Sequence, residues 1–251
     1  MLSINFAKAF DSDAWRRVRD GARATLPQWC ALCVADAGGA LLCDACAAAL
    51  PVLPQACPVC ALPAAGAVPC GACLAHAPPF AATIAAFAYA FPADRLLQEL
   101  KYGGRLALAD WAGSALGGVV ERALAARQPP ERPDCVVALP LGRGRQRQRG
   151  FNQAQEIAVR VAGGVGLPTL RALTRTAETA PQSDLSWSGR AANIRGAFAA
   201  GPGVRGLRIA VVDDVMTTGA TLAEAARTLL RGGAQRVECW VVARTLREGG
   251  A

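Results

Sequence analysis

Histidine and lysine are both scarce in this sequence. His76 is the single histidine among 251 residues, so a Ser-His-Asp triad would depend on that one side chain or is absent. The two lysines, Lys8 and Lys101, do not follow the G-x-x-x-x-G-K-[ST] pattern, which excludes a P-loop. Arginine carries the positive charge instead, and the net charge of +8 favours anionic partners such as phosphates or nucleic acid.

Charged residues are missing altogether from residues 45–93, yet this stretch does not have the pattern of a membrane span. Eight prolines and five cysteines interrupt it, so it holds no uninterrupted apolar helix of about 20 residues. Near the start of the chain, Asp11 and Asp13 come too early for a secretory signal. We therefore predict a cytoplasmic protein with no membrane span. Its hydrophobic content of 53% is sufficient for a packed core.

Eight of the ten cysteines form four C-x-x-C pairs. The spacing C-x2-C-x9-C-x2-C occurs twice, and each cysteine of residues 30–46 recurs 27 positions later in residues 57–73, as in an internal duplication. Two C-x-x-C knuckles supply the four thiolates of a tetrahedral zinc site, so the eight cysteines suffice for two structural zinc ions. The predicted zinc ligands are Cys30, Cys33, Cys43, Cys46, Cys57, Cys60, Cys70 and Cys73.

Zinc is favoured over disulfide bonds because disulfides persist in oxidising compartments and we expect no secretion. So short and proline-rich a segment buries little core, and metal binding would supply most of its folding free energy. The two knuckles of one zinc site can come from the same repeat or from both repeats. The spacing alone leaves both pairings open.

Composition divides the chain into three predicted segments. Residues 1–28 are expected to contain an amphipathic helix, with apolar residues every four positions from Leu2 to Val18, and residues 29–78 to form a double zinc ribbon. In residues 79–251 strand patterns alternate with helical ones, which predicts an α/β domain with a parallel sheet and flanking helices. The predicted strands are 81–89, 134–140, 208–213 and 236–243, and the predicted helices are 92–101, 106–127, 152–163 and 219–232.

The clearest functional motif is IAVVDDVMTTGAT at residues 209–221. We expect Asp213 and Asp214 to end a buried strand, at the edge where parallel α/β sheets bind ligands. Free N–H groups at the following helix start form a phosphate cradle, and paired acids can hold ribose hydroxyls or Mg²⁺. An ordinary helix N-cap is the alternative, but it does not explain two adjacent acids. The predicted phosphate-binding residues are Thr217, Thr218, Gly219, Ala220 and Thr221.

Two basic segments accompany this motif. After the strand at 134–140, the segment PLGRGRQRQRGFNQAQE carries four alternating arginines, whose guanidinium groups suit diphosphate oxygens. We expect a diphosphate-binding loop there, and a solvated basic loop is the alternative. The turn LKYGGR at 100–105 carries the single lysine of the α/β domain. The predicted pyrophosphate-binding residues are Lys101, Arg143, Arg145, Arg147 and Arg149.

A third segment, residues 173–198, is long and polar and shows no helical pattern. Segments of this length in a compact domain are commonly lids or disordered. Its polar side chains are spaced as expected for closure over a bound anion. The predicted lid residues are Arg175, Gln182, Arg190 and Asn193, with Thr179 between them.

The stretch at 209–221 resembles the motif by which type I phosphoribosyltransferases bind 5-phosphoribosyl 1-diphosphate (PRPP). In that family the acids grip the ribose hydroxyls and the following loop wraps the 5′-phosphate. With the double C-x-x-C ribbon, LKYGGR and RGFNQ, the chain from about residue 29 to 245 resembles the ComF/GntX family. The sequence departs from that family's pattern at Ala138, where relatives have proline, and at Gly142, where they often have histidine.

This resemblance implies a double zinc ribbon followed by a type I phosphoribosyltransferase-like fold. It also implies a bacterial cytoplasmic protein, linked in some members to DNA uptake and natural transformation. The implied activity is a pentosyl transfer from Mg²⁺-bound PRPP to an acceptor that no motif identifies. Asp213 and Asp214 would be the catalytic pair, holding the ribose and the metal ion.

A non-catalytic competence protein that keeps a PRPP-sensing site is the alternative. Its partners would be single-stranded DNA or a competence protein such as a DNA-uptake helicase. The ribbon is not basic, because its only charges between Cys30 and Cys73 are Asp36 and Asp44. Contacts to DNA phosphates would therefore have to come from elsewhere in the chain.

Overall fold

The computed structural model describes residues 28–53, 55–66, 68–176 and 194–246. The chain divides into two compact units, residues 1–50 and 51–251. The described part of the first unit holds the first cysteine repeat and a short helix, α1 (Asp44–Ala48). The helix expected in residues 1–28 falls, apart from Gln28, outside the described residues.

Four parallel strands form the main sheet of the second unit, which confirms the predicted α/β class. The sheet order is β1-β6-β5-β2, and every neighbouring pair is parallel. The two short strands β3 and β4 form a separate antiparallel pair. The strands are β1 (Thr83–Ala88), β2 (Cys135–Ala138), β3 (Leu173–Arg175), β4 (Phe198–Ala200), β5 (Arg208–Met216) and β6 (Arg236–Arg244).

The helices of the second unit connect and flank these strands. None of the described helices is long and apolar enough to cross a membrane. The helices are α2 (Gly71–Ala75), α3 (Ala93–Tyr102), α4 (Ala107–Ala125), α5 (Arg143–Arg149), α6 (Gln153–Val165) and α7 (Ala220–Arg231), with a short 3₁₀ turn at Pro129–Glu131.

The core lies on the two central strands. Val211 and Val212 of β5 and Val241 and Val242 of β6 are fully buried, as expected for a parallel sheet covered on both faces. Because all four strands run in the same direction, their carboxyl ends share one edge, and the loops after β2 and β5 meet there.

The expected end of the strand at 213 is wrong, because β5 continues to Met216. Its ladder with β6 persists past the acids, with Val215 opposite Ala243 and Met216 opposite Arg244. Asp213 and Asp214 therefore lie inside a strand, where successive side chains point to opposite faces. The two carboxyl groups are consequently in different surroundings.

The expected loop at 143–149 is also wrong, because this segment is the helix α5. Arginine and glutamine have high helix propensity, and six of the seven residues from Arg143 to Arg149 are of these types. The helix stops at Gly150, whose φ of 77° is left-handed and suits glycine at a helix C-terminus.

The second cysteine repeat is hydrogen-bonded to the sheet. The backbone N–H of Thr83 in β1 donates to the carbonyl of Pro58 at 3.0 Å, and its hydroxyl donates to the carbonyl of Val59 at 2.7 Å. The N–H of Ala88 donates to the carbonyl of Pro51 at 2.8 Å. These bonds fix the C-x-x-C knuckle at residues 57–60 against the first strand.

Candidate active site

A cavity of about 640 Å³ opens at the carboxyl ends of β2 and β5. Most of the residues predicted to bind PRPP line it, although they come from three separate stretches of the sequence. The lining includes Lys101, Arg145, Arg149, Asp213, Asp214 and Thr217. The parallel sheet brings these stretches together, because each follows or ends an element at the same edge.

Asp214 is the more buried of the two acids and is held by a cation. Its Oδ2 lies 3.0 Å from Nζ of Lys101. The Oδ1 of Asp214 accepts a hydrogen bond from the backbone N–H of Val215 at 2.8 Å. Burial opposes the charge of Lys101, but the carboxylates of Asp214 and then Asp213 outweigh it and raise the pKa of the lysine. The site therefore retains a positive charge beside its acids.

Asp213 accepts a hydrogen bond from the backbone N–H of Asp214 at 2.9 Å, and its pKa is displaced upward. Burial and the charge of Asp214 raise its pKa well above the ordinary value, although Lys101 acts in the opposite direction. A carboxyl group kept from ionising by its surroundings gains most from a bound cation or from hydroxyl donors. Asp213 is accordingly suited to a metal ion or to ribose hydroxyls.

Replacing Asp213 by asparagine is expected to stabilise the protein at neutral pH. The folded protein keeps this proton to higher pH than the unfolded chain, so its free energy of unfolding falls as pH rises above about 4. Asp213→Asn removes that loss. The gain should grow by up to about 1.4 kcal/mol per pH unit over the titration and vanish below about pH 4. Thermal unfolding followed from about pH 4 to about pH 8 measures this gain in stability.

The matched control for this experiment is Asp134→Asn. Its carboxylate pairs with Arg208, and the hydrogen bond from that guanidinium lowers the pKa of Asp134. The charged form of Asp134 therefore stabilises the folded protein above about pH 4, and its loss should be destabilising at neutral pH. Equal effects of the two substitutions would contradict the assigned pKa directions.

The loop after β5 has the features of a phosphate cradle. Gly219 has a φ of 82°, and α7 begins directly after it at Ala220. The hydroxyl of Thr218 accepts a hydrogen bond from the N–H of Ala220 at 3.1 Å. Thr217, Gly219 and Thr221 line the main cavity, whereas Thr218 and Ala220 line an adjoining recess with Gly219. The loop thus presents a helix N-terminus beside the acids.

Gly219→Ala is expected to weaken phosphate binding at this loop. A Cβ there would lie 2.7 Å from Cε of Met216, and the left-handed backbone adds about 1–2 kcal/mol of strain. Gly203 is the matched control, since its φ of 85° is nearly the same but no atom lies within 4 Å of its added Cβ. Calorimetric titration with inorganic phosphate measures the phosphate affinity of the Gly219→Ala and Gly203→Ala proteins. Equal phosphate affinity in Gly219→Ala and Gly203→Ala would contradict a role for the loop.

Helix α5 brings only two of its four arginines to the cavity. Arg145 and Arg149 are four residues apart, lie on one helix face and line the cavity. Arg143 and Arg147 are exposed and are not among its lining residues. The guanidinium of Arg149 lies over the ring of Tyr102, 5.0 Å from its centre, which fixes the position of this cation.

The predicted lid is described only at its ends. Arg175 lines the cavity, and its guanidinium lies 5.6 Å from the ring centre of Phe198. Gln182, Arg190 and Asn193 lie outside the described residues, as does Thr179. The antiparallel pair of β3 and β4 flanks this segment on both sides in the sequence.

Sequence reasoning did not assign Gln153, although the GFNQ motif contains it. This side chain is 3% exposed, lines the cavity and has its Nε2 3.5 Å from Oδ2 of Asp214. Its Oε1 is buried and has no hydrogen-bond partner among the described residues. Asn152 beside it caps α6, accepting from the N–H of Ala154 at 3.1 Å. A buried amide oxygen without a partner suits a ligand donor.

The eight clustered cysteines form two groups of four, one from each repeat. All Sγ atoms of a group lie within 4.8 Å of one another. The Sγ atoms of Cys33 and Cys43 are 3.6 Å apart, and those of Cys60 and Cys70 are 3.7 Å apart. A tetrahedral zinc ion with Zn–S bonds of about 2.3 Å separates its sulfurs by about 3.8 Å. The groups fit two structural zinc ions, with knuckles paired within each repeat.

One thiol in each group is predisposed to ionise. Burial opposes ionisation of Cys30, but hydrogen bonds from the backbone N–H groups of Cys33 and Cys43 outweigh it and lower its pKa to about 6. Cys57 behaves alike, with N–H groups of Cys70 and Cys60 outweighing burial and lowering its pKa to about 6. Backbone donors thus favour the thiolate that zinc requires.

Comparison with known proteins agrees with this arrangement. The family model described as Phosphoribosyl transferase domain matches residues 147–250, and that described as Double zinc ribbon domain matches residues 22–74. The DNA utilization protein YhgH of Salmonella typhimurium is 36% identical over 172 residues, which cover 67% of this chain and 74% of that protein. Competence protein F of Haemophilus influenzae is 33% identical over 116 residues, covering 45% and 51%.

Among solved structures, an allosteric regulatory enzyme of purine biosynthesis is 21% identical, with a TM-score of 0.36. The match covers 53% of this chain and 26% of that one. The fold assignment therefore rests on the strand order and on the domain matches. The zinc-ribbon match covers both cysteine groups, and the phosphoribosyltransferase match covers the strand and loop of the 209–221 motif.

Proposed function

Because the chain belongs to the ComF/GntX family, whose double zinc ribbon and phosphoribosyltransferase domain it carries, we propose that it binds PRPP with Mg²⁺ and transfers the phosphoribosyl group to a base or amine. A single observation carries the proposal. Two acids, a helix N-terminus and three cations, Lys101, Arg145 and Arg149, line the same cavity. These groups match the ribose hydroxyls, the 5′-phosphate and the diphosphate of PRPP, respectively.

The cavity residues suit this reaction because it requires no protein nucleophile. The C1–O bond of PRPP breaks, pyrophosphate leaves with the electron pair, and positive charge builds on the ribose ring. A nitrogen of the base or amine forms the new bond to C1 and releases a proton. Asp214, and Asp213 once a bound cation favours its ionised form, would place negative charge where it stabilises that ring. Bound Mg²⁺, held through the same two acids, would neutralise charge on the leaving diphosphate. Lys101, Arg145 and Arg149 hold the diphosphate oxygens in position.

The names of the relatives give the proposed biological setting. Since they are called DNA utilization protein and competence protein, we place this chain in DNA uptake or use, in the cytoplasm, where thiols stay reduced for zinc. Single-stranded DNA or a DNA-uptake helicase is the proposed partner. The net charge of +8 favours DNA, and binding through phosphate contacts would weaken steeply as salt is raised.

Calorimetric titration of the zinc-loaded protein with Mg-PRPP, against ribose 5-phosphate, tests the proposed ligand. We expect PRPP to bind more tightly, because ribose 5-phosphate lacks the diphosphate that Lys101 and the arginines would hold. Pyrophosphate release in the presence of bases and amines then tests transfer. Binding without release would favour the PRPP-sensing alternative, and no binding at millimolar PRPP would overturn the proposal.

A further inference from the structure

A buried arginine joins the second cysteine group to the phosphate cradle. Arg244 is the last residue of β6 and is 2% exposed. Its Nε donates to the carbonyl of Cys60 at 2.8 Å. Its Nη1 donates to the carbonyl of Met216 at 2.8 Å and also to the carbonyl of Thr217. One guanidinium therefore contacts a zinc-ligand residue and the first residue of the cradle.

On the cradle side, these bonds fix the backbone from which the loop starts. The carbonyl of Met216 also accepts from the N–H of Thr245 at 3.0 Å, and Nη1 of Arg244 donates to the carbonyl of Thr245 at 3.1 Å. A guanidinium is planar and rigid, so carbonyls bound to it are held in fixed relative positions. Gly219, where the chain turns into α7, follows Thr217 by two residues.

On the zinc side, the position of the Cys60 carbonyl depends on the shape of its knuckle. The N–H of Cys57 donates to the carbonyl of Leu62 at 2.8 Å, and the N–H of Ala61 donates to the carbonyl of Cys57 at 2.9 Å. Ala61 adopts a left-handed φ of 55°, a strained conformation for alanine that its surroundings must maintain. Zinc bound by Cys57 and Cys60 would hold this turn closed.

We propose that Arg244 is a positioning residue that couples the second zinc site to the 217–221 loop. Zinc on the Cys57–Cys73 group fixes the Cys60 carbonyl, Arg244 is thereby held, and the loop is ordered for a phosphate group. The inference rests on the proposed function for the identity of the ligand. The coupling itself is a property of the ligand-free protein, and its effect on affinity must be reciprocal between zinc and ligand.

Amide hydrogen exchange of the ligand-free protein tests the coupling directly. Removal of zinc by a chelator, or Cys73→Ser, is expected to speed exchange in peptides covering residues 216–222 by about tenfold. In Arg244→Gln, exchange there should already be fast with zinc bound and should change little when zinc is removed. Peptides covering 209–213 of β5 report whether the sheet remains folded in each variant.

The matched control is Arg208→Gln, because Arg208 is held by Asp134 and the Pro129 carbonyl at the opposite end of β5. In Arg208→Gln, removal of zinc should speed amide exchange in the 217–221 loop as much as it does in the wild type. Arg244→Lys retains the charge with a smaller donor set, so it should restore part of the response if Arg244→Gln does not fold. An unchanged loop after zinc removal from the wild type, or a full zinc response in folded Arg244→Gln, would overturn the coupling.

Calorimetry then separates this inference from the proposed function. Arg244→Gln should weaken Mg-PRPP binding by about tenfold, and Arg208→Gln should not change it. If the wild type binds no PRPP, the proposed ligand is wrong, while the exchange measurement still decides whether zinc orders the loop. Equal PRPP affinity in wild type and Arg244→Gln would overturn the positioning role.

Discussion

The variant in which asparagine replaces both Asp213 and Asp214 is expected to lose at least about 100-fold in affinity for Mg-PRPP. Both acids line the cavity, and each would make a hydrogen bond to ribose or a contact to Mg²⁺. A hydrogen bond to a charged group contributes about 1.5–3 kcal/mol, so two of them account for about 3 kcal/mol or more. Calorimetric titration of both zinc-loaded proteins measures the loss.

The single substitutions should differ, because the two acids have different partners. Asp214→Asn removes the carboxylate that neutralises Lys101 at 3.0 Å, so it should also destabilise the folded protein. Asp213→Asn should lower the affinity for Mg-PRPP while stabilising the folded protein at neutral pH. Asp134 lies at the other end of the sheet, so the Asp134→Asn protein should bind Mg-PRPP as tightly as the wild type does. Wild-type affinity in the double variant would show that the acids do not hold the ligand.

Much of the fold could be predicted because the strong patterns are local. The strands β5 and β6 contain contiguous apolar runs, and the motif that runs from β5 into α7 concentrates acids, a glycine and threonines within 13 residues of sequence (209–221). Likewise, the cysteine spacing alone indicated two zinc sites, and the Sγ distances add that knuckles pair within a repeat. Local chemistry in such segments does not depend on distant parts of the chain.

Two expectations were wrong for different physical reasons, one local and one set by a neighbouring strand. The alternating arginines do not form the expected loop, because arginine and glutamine favour a helix, and the helical period leaves Arg143 and Arg147 out of the cavity. The acids do not end the strand as expected, because the ladder with β6 carries β5 three residues further than residue 213. Strand ends are set by the neighbouring strand, which one sequence segment does not show.

Other features could not be predicted because they join distant residues. Lys101 meets Asp214 only because α3 ends above the carboxyl edge of the sheet. Gln153 belongs to the RGFNQ motif, but its buried Oε1 can be assigned to ligand binding only once the structure shows the cavity around it. Arg244 contacts Cys60 across 184 positions of sequence. No periodicity or spacing signals such a contact.

Cys33→Ser is expected to lower bound zinc from two ions to one and to unfold residues 28–50. Cys33 is exposed, so the substitution removes a metal ligand without disturbing packing. Among the described residues 28–50, only Cys30 and Leu42 are buried. Burial of one leucine stabilises by about 1.5–3 kcal/mol, whereas a structural zinc ion contributes about 10–16 kcal/mol. The metal therefore determines whether this segment is folded.

Metal analysis and amide hydrogen exchange measure the two effects together. Exchange in residues 28–50 of Cys33→Ser should approach the rate of an unfolded chain, while β1, hydrogen-bonded to β6 and to Pro58 and Val59, should remain protected. Cys135→Ala is the matched control, since Cys135 is buried in β2 and belongs to neither cysteine group. It should retain both zinc ions. Two zinc ions in Cys33→Ser, or protected amides in 28–50 after the loss of one, would contradict a folding role for the metal.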